Sequence, residues 1–338
     1  MTQLEFRDQC DDFEQLAEFW RRVWCSEYQG KSWVVLPDAA YFRWLVGPGS
    51  GTVCHLAFRG AKLVGCVFSS PHPMRIGSHN HASGSVFGLT VDPGQRGLAL
   101  PLVDRLRRHN ADRGISVAFG LIVKDASSPS HLFWTRYAQA FPGNLSLLFP
   151  LQQWLKPLAP MQVARACIQR GERLATRMLG PFTSVVPYSY DPRVRPYRQD
   201  DLPQCARTLE QASAAFDWAQ GWPLPQLARR LESPAGGTLV LERDGDVRGW
   251  VHYQRLVLHG RHPVQSAVIS LWGEADLQPG DGSRLIGHLC SQLRERGVQV
   301  VAEQRVHPVV ARDFVRSGVR SQCRRARHAR VDGDEGLA

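Results

Sequence analysis

Apolar and β-branched positions in the first half of this chain fall into short strand-like runs and then shift to helical spacing. Residues 52–58 and 62–69 read as two strands around the turn Arg59-Gly60-Ala61, and residues 74–84 extend the β pattern through Gly77 and Asn80. A further strand, Phe87-Gly88-Leu89-Thr90-Val91, runs into the glycine-rich turn Asp92-Pro93-Gly94-Gln95-Arg96-Gly97-Leu98-Ala99. The period then changes: over residues 100–111, Leu102, Val103 and Leu106 share one helical face. Residues 115–123 predict another strand, and residues 130–139 a helix carrying Phe133, Trp134 and Tyr137.

The same order returns downstream. Val194-Arg195-Pro196 followed by Gln199-Asp200-Asp201-Leu202 opens with a strand and a capped helix, as residues 4–11 do in the first half. Residues 237–244 and 247–254 flank Asp244-Gly245-Asp246, a strong hairpin signal. Residues 267–272 predict a strand, residues 284–296 a helix with Leu285, Ile286, Leu289 and Leu293 on one side, and residues 298–302 a last strand. A chain of 338 residues suits two domains, each with its own core. The repeat divides it into a first domain (1–157), a connecting helix and linker (158–190) ending before Gly180-Pro181, a second domain (191–331) and an acidic tail (332–338).

A glycine turn between a strand and a helix points backbone N–H groups and the positive end of the helix dipole at one place, which makes it an anion cradle suited to a pyrophosphate. The stretch from Phe87 to Ala111 resembles the cofactor strand, pyrophosphate loop and helix of the GNAT acyltransferases. Aligned on Arg96, the family's small loop positions fall on Ala99 and Pro101, and Pro101 has no N–H to donate. Aligned on Gly97 and Ala99, Gly94 takes the leading position while Leu102, Val103 and Leu106 fall where the family buries its helix; helix periodicity favours this register. The fold class implied is α/β (α+β), two tandem GNAT-like domains, each a mixed, mostly antiparallel sheet flanked by helices.

Within that superfamily the chain is most similar to the N-myristoyltransferase group. The likeness rests on collinear runs at residues 36–45, Lys62-Leu63-Val64-Gly65, residues 88–115, Phe133-Trp134-Thr135-Arg136, Arg195-Pro196, Val268-Ile269-Ser270-Leu271-Trp272 and residues 313–319. It implies transfer of an acyl group, fatty acyl in that group, from acyl-CoA or an acyl carrier protein to a primary amine. The acceptor amine is left open: a peptide N-terminus, a Lys or ornithine side chain, or a free amino acid, with peptide natural-product acylation one context. By the resemblance, backbone N–H groups at Gly88 and Leu89 would face the thioester carbonyl, Val91 would bond the pantetheine arm, and Gln95, Arg96, Gly97, Leu98 and Ala99 would hold the diphosphate.

The second loop, Gln278-Pro279-Gly280-Asp281-Gly282-Ser283-Arg284, carries an aspartate that would repel a diphosphate, so the second domain reads as a degenerate copy shaping the acceptor site. The myristoyltransferase base is a C-terminal carboxylate, a role that does not carry to Ala338 at the end of an acidic tail. Glu274, placed to face the domain junction, is the candidate base instead. Glu27 and Tyr28, read as the loop after the first helix, are candidate acceptor contacts. Trp134 stands where single-domain relatives carry a tyrosine that protonates the thiolate, and Tyr137 one turn later is its candidate substitute.

A net charge of +10 favours anionic partners such as CoA, an acidic carrier protein or an acidic peptide, but nucleic-acid motifs are absent. The basic residues Arg320, Arg324, Arg325, Arg327 and Arg330 read as one solvated face near the end. Eight scattered cysteines without metal spacing suit a reducing cytoplasm, and His79 and His81 lack the partners a metal would need, so no metal is expected. No leader, lipidation motif or membrane-length apolar run is present; a cytoplasmic monomer or homodimer is the expectation. Two alternatives remain open at this point: a small-molecule N-acetyltransferase similar to mycothiol synthase, and a non-catalytic GNAT-fold protein that binds acyl-CoA or a peptide.

Overall fold

The computed structural model describes residues 3–122, 128–146, 153–183 and 190–304. Its first half runs β1 (Leu4–Arg7), α1 (Phe13–Tyr28), β2 (Val34–Val35), α2 (Ala39–Val46), β3 (Val53–Arg59), β4 (Lys62–Ile76), β5 (His79–Val91), α3 (Ala99–Asp112), β6 (Val117–Phe119) and α4 (Pro129–Ala140). Then follow β7 (Gln153–Pro157), α5 (Pro160–Ala166) and α6 (Arg170–Thr183). The second half is β8 (Val194–Pro196), α7 (Leu202–Ala214), β9 (Trp218–Gln220), α8 (Leu224–Leu231), β10 (Gly236–Arg243), β11 (Asp246–His259), β12 (Pro263–Glu274), α9 (Asp281–Glu295) and β13 (Val300–Gln304).

Each half builds one sheet. The first has the order β1-β3-β4-β5-β6 and the second β7-β13-β12-β11-β10-β8. All pairings are antiparallel except β5 with β6 and β12 with β13, so each half is a mixed, mostly antiparallel sheet as the sequence implied. In the first half, α1 and α2 cover one face through Leu16, Phe19, Trp20, Phe42 and Phe68. The buried face of α3, with Leu102, Val103 and Leu106 at 0%, 7% and 2% exposure, packs on the other.

The halves exchange strands. β2 leaves the first half to pair with β11 at Leu258–His259, and β9 leaves the second half to pair with β4 at Met74–Ile76. Both join the tip of the partner's long hairpin, and further hydrogen bonds lock the exchange: Gly77 N–H donates to Asp217 O (2.7 Å) and Gly221 N–H to Pro73 O (2.7 Å). The residues read as a separate β connection at 74–84 are the closing part of one continuous β4–β5 hairpin, turning at Gly77 in the left-handed region (φ +58°).

Three sequence boundaries shift. Residues 153–157, at the end of the stretch assigned to the first domain, form β7 beside β13 in the second sheet. The single connecting helix is two helices, because the Ala166 carbonyl accepts from the N–H of Arg261 (2.8 Å) and so leaves the helical ladder. The second of these, α6, runs through Gly180-Pro181, where Gly180 lets it approach Pro160 so closely that a Cβ would come within 2.3 Å. The resemblance run at 313–319, the basic cluster, Cys323 and the tail lie outside the described residues. The other seven cysteines are free thiols.

Candidate functional site

β4 and β5 lose register between Cys66↔Thr90 and Phe68↔Phe87, which leaves one residue of β4 opposite Gly88 and Leu89 of β5. This is a β-bulge, and Gly88 sits in it at φ +69°. A Cβ there would lie 2.5 Å from Cδ2 of Phe68 and 3.0 Å from the ring of Trp20, so both backbone conformation and packing demand glycine. Trp20 stacks on Trp24 (5.0 Å between centroids), and the Trp24 indole N–H donates to Thr90 Oγ1 (3.0 Å), which fixes the helix over the bulge.

Beyond the bulge the sheet opens. β6 pairs with β5 only at Ser83, Gly84 and Ser85, so β5 continues from Val86 to Val91 with no strand on that side among the described residues. Gly120 closes the apex, where a Cβ would meet Val86 O at 2.5 Å. An open strand edge of this kind can hydrogen-bond an extended, amide-bearing chain.

At the end of β5 the chain makes a tight turn, Pro93–Leu98, into α3, which starts with no side-chain cap. Asp92 organises the turn: its carboxylate accepts from Gly94 N–H (3.2 Å) and its carbonyl from Gln95 N–H (2.7 Å), and Arg22 (3.3 Å) and Lys62 (3.4 Å) pair with it. The Gln95 side-chain oxygen accepts from Arg59 (2.9 Å), and Ala99 N–H returns to Arg96 O. Gly94, Arg96 and Gly97 are exposed. Four cationic side chains, Arg22, Arg59, Lys62 and Arg96, therefore surround a glycine turn at a helix start, an arrangement that draws an anion. The sequence reading singled out Arg96 and missed Arg22, Arg59 and Lys62, which come from α1 and the β3–β4 turn and carry no local signal.

Arg96 forms an ion pair with Glu27 (3.0 Å). Glu27 and Tyr28 lie in the last turn of α1 rather than in the loop after it. Burial pushes the Glu27 carboxyl up from the ordinary range, against the opposing pull of Arg96 and Lys31. Tyr28 is buried against Trp24. The structure thus brings Glu27 to the loop's own arginine.

Tyr137 contacts Phe133, Trp134 and Phe141 and lines a cavity of about 530 Å³ on the outer side of α3, with Leu100, Asp104 and Arg108. The Gly88 bulge is packed instead by Phe68 and Trp20. Glu274 lies at the end of β12 away from the exchanged strand β2. It pairs with Gly249 at one end of β11, whereas β2 of the first half joins β11 at Leu258, nine residues or about 30 Å further along the strand. Its carboxylate accepts from the Trp272 indole N–H (2.8 Å), an interaction within its own half.

No protein-family model matches this sequence, and no curated protein does. Solved structures do match. Saccharomyces cerevisiae N-myristoyltransferase with bound myristoyl-CoA has a TM-score of 0.67 at 11% identity, over 90% of this chain and 73% of that one. A glucosamine N-acetyltransferase region of a fungal multi-domain β-N-acetylglucosaminidase has a TM-score of 0.56 at 13% identity, over 94% of this chain and 37% of that one. A GCN5-related N-acetyltransferase from Anabaena variabilis has 0.51 at 10% identity, over 91% and 68%. The chain has the fold shared by N-myristoyltransferase and the GCN5-related acyltransferases.

Proposed function

We propose that this protein is an N-acyltransferase that takes its acyl group from acyl-CoA in the first half and passes it to a primary amine presented between the halves. The observation that carries this reading is the continuity along β5. A bulge with a left-handed glycine, a strand edge with no neighbour among the described residues and a cationic glycine turn at a helix without a side-chain cap follow one another from Gly88 to Ala99.

In this reading the thioester carbonyl lies at the bulge, where backbone N–H groups of Gly88 and Leu89 stabilise the oxyanion as the amine adds to the carbonyl carbon. The tetrahedral intermediate then collapses, the C–S bond breaks, the amide forms, and CoA leaves as the thiol once the proton lost by the amine has been returned to sulfur. Val91 borders the pantetheine. Gly94 and Gln95 direct their N–H groups to Asp92 and Ala99 directs its own to Arg96, so within the loop the exposed Arg96 and Gly97 are the positions proposed to meet the diphosphate. Arg96 supplies charge, with Glu27 as its resting counter-ion. We assign no general base: Glu274 stands at the wrong end of its strand, and Glu27 is ion-paired.

Incubation with acetyl-, medium- and long-chain acyl-CoAs and with acylated carrier protein, against peptide and amino-acid amines, tests the proposal by mass spectrometry. Amide product is the expected result. Product from acetyl-CoA and small amines alone would turn the reading toward a small-molecule acetyltransferase. CoA binding with no product from any donor would leave a non-catalytic binder. The cytoplasm remains the proposed compartment; no helix among the described residues is long and apolar enough to cross a membrane.

A further inference from the structure

Where α2 and α8 meet, the two halves half-bury a cation without an anion. Trp44 of α2 and Arg229 of α8 exchange hydrogen bonds: the Trp44 indole donates to Arg229 O (3.4 Å), and the Arg229 guanidinium donates to Trp44 O. The next residue, Arg230, turns inward with its guanidinium carbon 5.3 Å from the Trp44 ring centre. Its Nε is fully covered and has no hydrogen-bond partner, and no carboxylate among the described residues forms an ion pair with it. Covering part of a charge this way is costly unless a partner arrives, stacking on an indole offsets only part of that cost, and the side chain keeps an exposed fraction through which a partner can reach it.

The surroundings share the deficit. His252 is 0% exposed with Nε2 unpartnered, and Gln254, two residues on along β11, is 3% exposed with its amide nitrogen unpartnered. His252 and His72 both lie within reach of the Arg230 charge, which together with burial holds their rings neutral, at about 3 and about 4. His72 and Gln226 also line a cavity of about 640 Å³ that has Arg113 and His81 at its rim and no acidic side chain in its lining. Neutral imidazoles, an amide and an unpaired guanidinium make a site built to receive negative charge rather than to balance it.

We propose that Arg230 binds a carboxylate of the acceptor, so that the preferred amine substrate is a peptide with an acidic group about four residues from the nucleophile. This rests on the acyl-transfer reading above. The spacing comes from β4: Phe68 packs the Gly88 bulge and His72 is four residues further along the strand, about 13 Å, the reach of about four extended residues. The carboxylate belongs either to an acidic side chain or to the C-terminus of a short peptide.

Five-residue peptides with a free N-terminal glycine separate these sources: one with Asp at position five and an amidated end, one with Asn and an amidated end, one with Asn and a free acid. Binding is measured by titration calorimetry in the presence of saturating CoA, and acylation with the acyl-CoA panel. Wild type should bind at least one acidic peptide ten-fold or more tighter than the amidated Asn peptide, and which acidic peptide wins names the source. Arg230→Gln should erase the preference, Arg230→Lys should keep part of it, and the Gln variant should melt at the same temperature or higher, since it removes an unpaired, half-buried charge. A lower melting temperature with the preference intact would make Arg230 a structural residue. Equal binding of acidic and neutral peptides by wild type, or binding of none, would overturn the proposal even if other amines were acylated. Selective binding without acylation by any donor would instead overturn the acyl-transfer reading and leave the Arg230 site standing.

Discussion

The two halves put the same turn, from strand end to helix start, in equivalent places and fill it differently. In the first, the turn from Asp92 to Ala99 is exposed at Gly94, Arg96 and Gly97, and its cations come in from α1 and the β3–β4 turn. In the second, Asp281 opens α9 with its side chain 1% exposed, facing Arg193 (3.3 Å), Arg243 (3.5 Å) and Arg284 (3.6 Å) and accepting from Gln278 N–H (3.1 Å). The notch beside the strand differs in the same sense. The last residue of β6 paired with β5 is Phe119, whereas the last of β13 paired with β12 is the buried Glu303, whose carboxyl is pushed up to about 8 by burial. Both strands carry a bulge, but only the first has a left-handed residue in it. A helix start that attracts anions can be satisfied by a ligand or by the protein's own carboxylate. The second half keeps the electrostatics and meets them with its own carboxylate, Asp281.

That contrast breaks most visibly at the bulge. Gly88→Val forces a side chain into Phe68 at a left-handed position, and should lower stability by about 2–4 kcal/mol and remove activity, read by thermal melting and turnover. Gly97→Glu has open space around its Cβ, so it should leave the melting temperature unchanged while weakening CoA binding about 100-fold, roughly 2.7 kcal/mol, in calorimetry. Unchanged affinity would remove the first loop as the donor site. Asp281→Asn should do the reverse, costing roughly 2 kcal/mol of stability by removing the carboxylate that Arg243 and Arg284 face and one of the two that Arg193 faces, with CoA affinity within two-fold of wild type.

A further contrast is a pH slope that belongs to the second half. With its folded pKa near 8 and an unfolded value near 4.5, Glu303 holds its proton longer in the folded state. The contribution of Glu303 to stability should therefore be greatest below pH 4.5 and fall as pH rises toward 8. Glu303→Gln should flatten that part of the profile in urea titrations taken between pH 5 and 8, and an unchanged slope would assign it to other groups.

Much of this architecture was legible before any coordinates. Asp244-Gly245, both at positive φ, mark the β10–β11 hairpin, and the spacing of Leu102, Val103 and Leu106 placed α3 and its register against the loop. The exchange of β2 and β9 was not, because strands of two and three residues carry no periodicity and their partners lie in the other half of the chain. The one available signal was that each follows the first helix of its repeat. For the same reason the strand that carries Glu274 is legible while its place relative to the other half is not, since which end of the sheet meets that half is decided by the exchanged strands. Glu27 was read as a loop residue because nothing marks a cap before α1 ends at Tyr28. Arg230 sits beside Leu227 and Leu231 on α8, and only the packing of Trp44 from α2 reveals that its charge is half-covered with no anion beside it.

Hydrogen exchange with and without saturating CoA tests the central claim, that one donor site lies on the first half alone. Amides from Gly88 to Ala99 should gain protection while those from Ser270 to Arg284 exchange as before. Protection of the second loop, or none in the first, would contradict the account.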